Sequence, residues 1–454
     1  MHTTTPRSSL RIAALAWPIF IGQLAVIANG VIDTAMTSRF SATDLAALAV
    51  GASIYVSIFV GLNGVLQALS PQVGQLFGAQ RFRDIGAELK QGAWLAVFLS
   101  IIGCLALLFP QPLLSLAHAS PEMITKCELY LRVLALALPA SLGFRIYSGF
   151  NTAIGRPKMV MAIQIASLLL KVPLNAWFIF GGLGLPAFGG PGCAMATTVI
   201  TWLMLLVGWA ILRMDRSYRT YAIFHTGFVR PKWPAQLALL KLGVPMGLSY
   251  LIEVTAFTFM ALFIARLGDT AVAGHQIVAN FATVLYVLPL SIASATGTLV
   301  AQAIGARDQE RARRVGFAGI RLAAVLSASI GCLVWLTRGW IAHAYTPNET
   351  IIAAALPLFF FIAFYQLFDA VQITTAFVLR AYKVAVVPTV MYAVALWGIG
   401  LGGGYILGLN PFGFSPTILR GAAGFWLGNS VSLALVALAL LWYLRVVQRD
   451  AMRS

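Results

Sequence analysis

The sequence predicts an all-α integral membrane protein, with twelve transmembrane helices arranged as two parallel six-helix repeats. Three observations carry that expectation. Of 454 residues, 60% are hydrophobic and only 10% charged, which fits a polytopic membrane protein and excludes an ordinary soluble domain. Twelve apolar runs are each long enough to cross a hydrocarbon core about 30 Å thick as a helix. The chain also resembles itself when shifted by 227 residues.

The runs lie at about 12–36, 46–69, 92–110, 128–150, 160–180, 191–212, 242–265, 275–300, 316–336, 351–378, 385–408 and 422–444. The first has a basic flank like that of a signal peptide, but its apolar part is long and lacks a small-residue cleavage site, so it is taken as a span. The formal net charge of +17 reflects topology and not a nucleic-acid partner, because the basic residues are scattered over short loops. With the N-terminus inside, and Arg132 and Arg321 counted with the loops at the ends of their spans, 23 of the 31 Lys and Arg fall on one side and 6 on the other, leaving Arg145 and Lys171 as the basic residues well inside spans. By the positive-inside rule both termini are expected in the cytoplasm. The inner charges also suit contact with anionic lipid headgroups. Cys104, Cys127, Cys193 and Cys332 are scattered, which predicts core cysteines and neither a disulfide framework nor a metal cluster.

At the 227-residue shift Pro18 meets Pro245, Leu24 meets Leu251, Arg39 meets Arg266 and Thr43 meets Thr270. "QLFGA" (75–79) falls on "QAIGA" (302–306), and Gly92 on Gly319. The organisation follows: an N-terminal six-helix lobe at 1–212, a basic cytoplasmic linker at 213–241 and a C-terminal six-helix lobe at 242–454. Because each half has an even number of spans, the halves share an orientation, a recurrent transporter architecture with substrate handled where they meet.

Of the 14 acidic residues, Asp33, Glu253 and Asp369 are the three expected within apolar spans, Glu128 standing only at the first position of the fourth. The repeat does not copy them: they map onto Met260, Val26 and Leu142, so scaffold symmetry did not place them. A carboxylate costs several kcal/mol or more near the bilayer centre and is usually paired, cavity-facing or functional. Glu253 and Asp369 belong to one half and can converge on one cavity. Tyr365 stands one helical turn before Asp369 and offers a phenol to the same place. Two chemistries fit, coordination of Na⁺ by clustered oxygens or carriage of a proton by one carboxylate.

Weaker candidates surround these. Pairing of Arg145 or Lys171 with Asp33 would lower the cost of burying it. Asn175 follows Lys171 by one turn and joins a polar site in the first half, while Gln276 and Asn280 are candidates to line the cavity. His275 reads as an interfacial or satisfied core histidine. Trp177, Phe257, Phe259, Tyr286 and Trp397 are candidates for stacking on a flat organic cation, although most such residues pack or face lipid. With no HExxH, Walker loop or nucleophile elbow, no enzyme is expected, and an ion gradient is the economical energy source.

The stretches "VIDTAMTSRF", "QVGQLFGAQ", "VPLNAWFIFGGLG", "IEVTAFTFMALFIARLG", "AGHQIVANFATVLYVLPLSIASA" and "FDAVQITTAFVLRAYK" resemble the multidrug and toxic compound extrusion (MATE) family, NorM-like branch, from about residue 12 to 445. That resemblance implies a V-shaped pair of lobes in the bacterial inner membrane that export organic, commonly cationic drugs in exchange for Na⁺ or H⁺. It places Glu253, Tyr365 and Asp369 in a cation site, with Na⁺ at Glu253 and Asp369 as one occupant, and Asp33 and Asn175 in a polar or substrate site. Lys171 departs from the family pattern, since relatives often carry asparagine there, and its ammonium would take the place of a bound cation beside Asp33. No cofactor is implied, and a monomeric functional unit is expected. The alternative is a flippase for a lipid-linked precursor, which would favour a groove rich in Arg and Lys.

Overall fold

The computed structural model describes residues 5–111, 121–182, 184–224, 227, 229–413 and 415–453, with the side chains of 5–7 outside the described set. Part of the expected linker, residues 225, 226 and 228, lies outside it too, as do the terminal residues 1–4 and 454. Among the described residues twelve helices are long and apolar enough to cross a membrane. They are α1 (Ser8–Ser38), α2 (Ala42–Gly78), α3 (Phe82–Leu108), α4 (Pro121–Ala153), α5 (Pro157–Phe180) and α6 (Gly190–Met214), then α7 (Trp233–Ala265), α8 (Asp269–Gly305), α9 (Gln309–Tyr345), α10 (Glu349–Ala381), α11 (Val386–Leu409) and α12 (Ala422–Arg453).

Helix is the form that satisfies backbone N–H and C=O groups within one segment, which hydrocarbon demands. The repeat reappears in the helix ends: Ser38 and Ala265, Ala42 and Asp269, Gly78 and Gly305, Phe82 and Gln309 each stand 227 residues apart. Even the turn after the second helix is copied. Gln80 (φ 61) and Arg307 (φ 59) both adopt the left-handed conformation, and Arg81 N and Asp308 N each donate to a carbonyl five residues back at 3.0 Å. That is the Schellman way of closing a helix, here with a side chain where glycine is usual.

The chain divides into two compact units: an N-terminal unit, Pro18–Gly247, and a C-terminal unit comprising residues up to Trp17 and those from Leu248 onward. In the N-terminal unit α4 is the hub, packed by α2, α3 and α6; in the C-terminal unit its repeat partner α10 is packed by α8, α9 and α12. Apolar side chains gain little from leaving lipid for another helix, so close approach through small residues matters. Along α11 and α12, Gly404 lies against Phe425 and Gly424 against Gly408, positions where a Cβ would stand 2.8 and 2.6 Å from its neighbours. The middle of α11, Ala393–Leu401, is a π-helix, a form rare elsewhere and frequent near functional sites.

The linker is anchored on its own unit. Tyr218 Oη donates to Asn151 Oδ1 at 2.6 Å, Trp94 Nε1 donates to Val229 O at 2.9 Å, and Gln91 Oε1 accepts from Lys232 N at 2.8 Å and from Gln236 Nε2 at 3.0 Å. The expectation of core cysteines needs one correction. Cys127 and Cys193 are buried and Cys104 half-buried, but Cys332 is exposed on α9. On a lipid-facing surface an apolar thiol is as compatible as in a core, so periodicity does not separate the two.

Candidate functional site

Each unit carries its own cluster of ionisable groups. In the N-terminal unit α1, α5 and α6 bring together Asp33, Lys171, Asn175 and Thr197. Lys171 and Asn175 are one turn apart and share a face of α5. Lys171 Nζ lies 2.9 Å from Asp33 Oδ1, and Asn175 Nδ2 donates to the same oxygen at 2.7 Å. Lys171 also donates to Thr197 Oγ1, which passes a bond to the Cys193 carbonyl at 2.9 Å. Lys171 and Asn175 are buried, whereas the Asp33 side chain retains 16% exposure, so the carboxylate is the reachable member. All three residues expected at this site are thus in one hydrogen-bonded group.

In the C-terminal unit Asp369 is fully buried on α10. Its Oδ1 accepts from Gln372 Nε2 at 3.0 Å, while Oδ2 is buried with no hydrogen-bond partner, as is Gln372 Oε1. Glu253, half-buried on α7, is close enough to interact electrostatically with both Asp369 and Arg380. Tyr365 is buried one turn before Asp369 and lies edge-on to Phe257 and Trp426, with ring centroids 5.9 and 5.8 Å away. Behind this aromatic wall Trp426 Nε1 donates to His275 Nδ1 at 3.2 Å, which makes His275 the satisfied core histidine expected. Buried oxygens without partners beside carboxylates form a place for a hard cation, which takes oxygen donors. Among the described residues no group of three His, Cys, Asp or Glu could hold a metal ion, so oxygens of amide and phenol groups would have to complete any such shell.

Arg380 corrects the expectation that Arg145 and Lys171 are the basic residues carried well inside spans. The expected tenth span stops at 378, but α10 continues to Ala381 because Val378, Leu379 and Ala381 are all buried, and it carries Arg380 inward with them. Its Nη1 donates to Tyr250 Oη at 3.1 Å, and the guanidinium sits over the Tyr250 and Phe377 rings at 5.0 and 4.8 Å. Asp44 was also missed among the buried acids. Its side chain, 2% exposed at the start of α2, binds Lys126 Nζ at 2.8 Å and accepts from Gly190 N at 2.8 Å. It pins α2, α4 and the first turn of α6 together, a structural task.

The remaining candidates are placed as follows. Gln276 and Asn280 lie on the exposed face of α8, where Gln276 Nε2 donates to Asn280 Oδ1 at 2.9 Å. Phe259 and Trp397 are exposed, Trp397 Nε1 donating to Thr255 Oγ1 at 3.3 Å, and Trp177 stacks on Phe178. Phe257 belongs to the aromatic wall, and Tyr286 keeps a buried hydroxyl without a partner.

Comparison with known proteins gives a consistent result. The MatE family model matches residues 18–177 and 245–406, one segment in each half. A probable multidrug resistance protein NorM of Aromatoleum aromaticum is 42% identical over 452 residues, covering 98% of this chain and 96% of that one. The multidrug resistance protein NorM of Vibrio vulnificus is 37% identical over 427 residues, covering 94% and 92%. Among solved structures, the eukaryotic MATE transporter AtDTX14 superposes with a TM-score of 0.87 at 19% identity over 98% of both chains. An outward-facing MATE family transporter of the MOP superfamily gives 0.88 at 18%, covering 98% and 96%. The structural matches bear out the all-helical, twelve-span fold.

Proposed function

This chain belongs to the MatE family, and on that premise we propose that it is a secondary active multidrug efflux antiporter of a bacterial inner membrane. It exports organic, mostly cationic compounds in exchange for Na⁺ or H⁺ by alternating access. The observation that carries the reading is Asp369 Oδ2, a carboxylate oxygen buried without a hydrogen-bond partner beside Glu253. A buried charge left this way is expensive unless a ligand completes it. Glu253, Asp369 and Tyr365 therefore serve the coupling cation, and Asp33, Asn175 and Lys171 form a polar site in the N-terminal lobe. Residues 1–212 and 242–454 act as the lobes, 213–241 as the cytoplasmic linker, and both termini lie in the cytoplasm. The names of the relatives support drug export over the flippase alternative.

In this mechanism cation binding at the C-terminal site favours one lobe arrangement and substrate binding the other, each by its difference in affinity between the two states. Efflux of a fluorescent organic cation from proteoliposomes, under Na⁺ and pH gradients imposed separately, tests it. One gradient should drive transport in wild type and fail in Glu253→Gln. Full gradient-driven transport by a folded Glu253→Gln protein would remove Glu253 from the coupling path.

A further inference from the structure

The two acidic clusters differ in one physical respect. In the C-terminal unit Asp369 Oδ2 is unpartnered, and the buried Arg380 is bonded to Tyr250, outside ion-pair distance of either carboxylate among the described contacts. In the N-terminal unit the carboxylate already has a cation. Lys171 Nζ is 2.9 Å from Asp33 Oδ1, donates to Thr197 Oγ1, and has only 3% side-chain exposure. An ammonium offers three donors and no acceptor, so it takes up oxygen lone pairs that a bound metal cation would need. The pair is neutral in sum, and a second cation brought to the same oxygen would meet Lys171 at close range with little water to screen it.

We propose that Lys171 is a built-in occupant of the Asp33 site, a tethered ammonium standing where a free monovalent cation would bind. The N-terminal unit accordingly holds no exchangeable metal cation. The oxygens for a cation are otherwise present. Asn175 Oδ1 is buried without a partner, and Asp33 Oδ1 and Thr197 Oγ1 are already aligned on the ammonium. Replacing Lys171 with asparagine removes the tethered charge, adds a carbonyl oxygen and leaves Asp33 without its counter-ion. A site for Na⁺ should open.

The inference concerns a different site from Glu253 and Asp369 and does not depend on which ion those residues take. Its test is equilibrium binding of radioactive Na⁺ to the purified full chain, read as the difference between variants. Lys171→Asn should bind one more Na⁺ per chain than wild type, and Asp33→Asn added to it should abolish the gain. Lys171→Arg should show no gain. A folded Lys171→Asn protein with unchanged stoichiometry overturns the proposal. Asp33→Asn with native Lys171 keeps the question open to test if the asparagine variant does not fold. Unchanged Na⁺ stoichiometry supports the proposal, and loss of a bound Na⁺ overturns it. Loss of the wild-type ion in Glu253→Gln reports separately on the coupling site.

Discussion

Replacing Asp369 with asparagine should stabilise the protein while abolishing its ion-driven exchange. The substitution keeps the Oδ1 that accepts from Gln372 at 3.0 Å and replaces Oδ2, the buried carboxylate oxygen with no partner. It also removes the negative charge with which Glu253 interacts. An unsatisfied buried polar atom costs about 1–3 kcal/mol, more when charged. The new amide N–H₂ is itself a donor in need of a partner and retains part of that cost. A net gain on the order of 1–2 kcal/mol is therefore expected in ion-free buffer, seen as a rise of a few degrees in Tm by thermal unfolding in detergent. Adding the coupling ion should reverse the ranking. At 100 times its Kd the ion stabilises wild type by about 2.7 kcal/mol and leaves the variant unmoved. A variant less stable than ion-free wild type would make Asp369 a structural bridge and not a site held open for a ligand.

Three other perturbations probe neighbouring parts of the account. Arg380→Gln removes a positive charge that interacts with Glu253 and should raise apparent affinity for the coupling ion by about tenfold, close to 1.4 kcal/mol, measured by ion titration of transport; weaker affinity in a folded variant would contradict the assignment. Trp426→Phe keeps most of the packing but leaves His275 Nδ1 buried without its donor, so unfolding should be easier by about 1–3 kcal/mol. Gly243→Ala places a methyl group against the Val65 carbonyl where α7 meets α2 and should cost about 1–3 kcal/mol by forcing the two helices apart, again read from thermal unfolding.

Much of this architecture is legible in the sequence because the bilayer reduces the choices. A segment that must satisfy its own backbone becomes a helix, and its length follows from the apolar run. The 227-residue shift did more, since matching Pro18 with Pro245 and Thr43 with Thr270 set a register that the helix ends keep. Asp33, Lys171 and Asn175 could be read together because ionisable groups in apolar runs need partners, and few were on offer. Tyr365 and Asp369 shared a face by their spacing. What stayed hidden depends on distant contacts. Arg380 follows two residues after the expected end of the apolar run, and only its burial among Val378, Leu379 and Ala381 makes it part of the interior. Asp44 looks like a loop residue until Lys126, 82 positions away, reaches it, and the bond from Trp426 to His275 spans 151 positions. Local periodicity carries no signal for such pairs. An apolar residue facing lipid is likewise indistinguishable in composition from one facing a core, which is why Cys332 and Phe259 were not separable from buried neighbours.

Exchange of drug for ion is tested by running the reaction from the substrate side. Proteoliposomes are loaded with an organic cation, with no imposed Na⁺ or pH gradient and the membrane potential clamped, and the movement of Na⁺ and H⁺ is followed after dilution. The outward drug gradient should drive one of these ions inward in wild type, and drive neither in Glu253→Gln or Asp369→Asn. Drug leaving through wild-type protein with no opposing ion movement, or ion movement undiminished in both variants, would contradict coupling at Glu253 and Asp369.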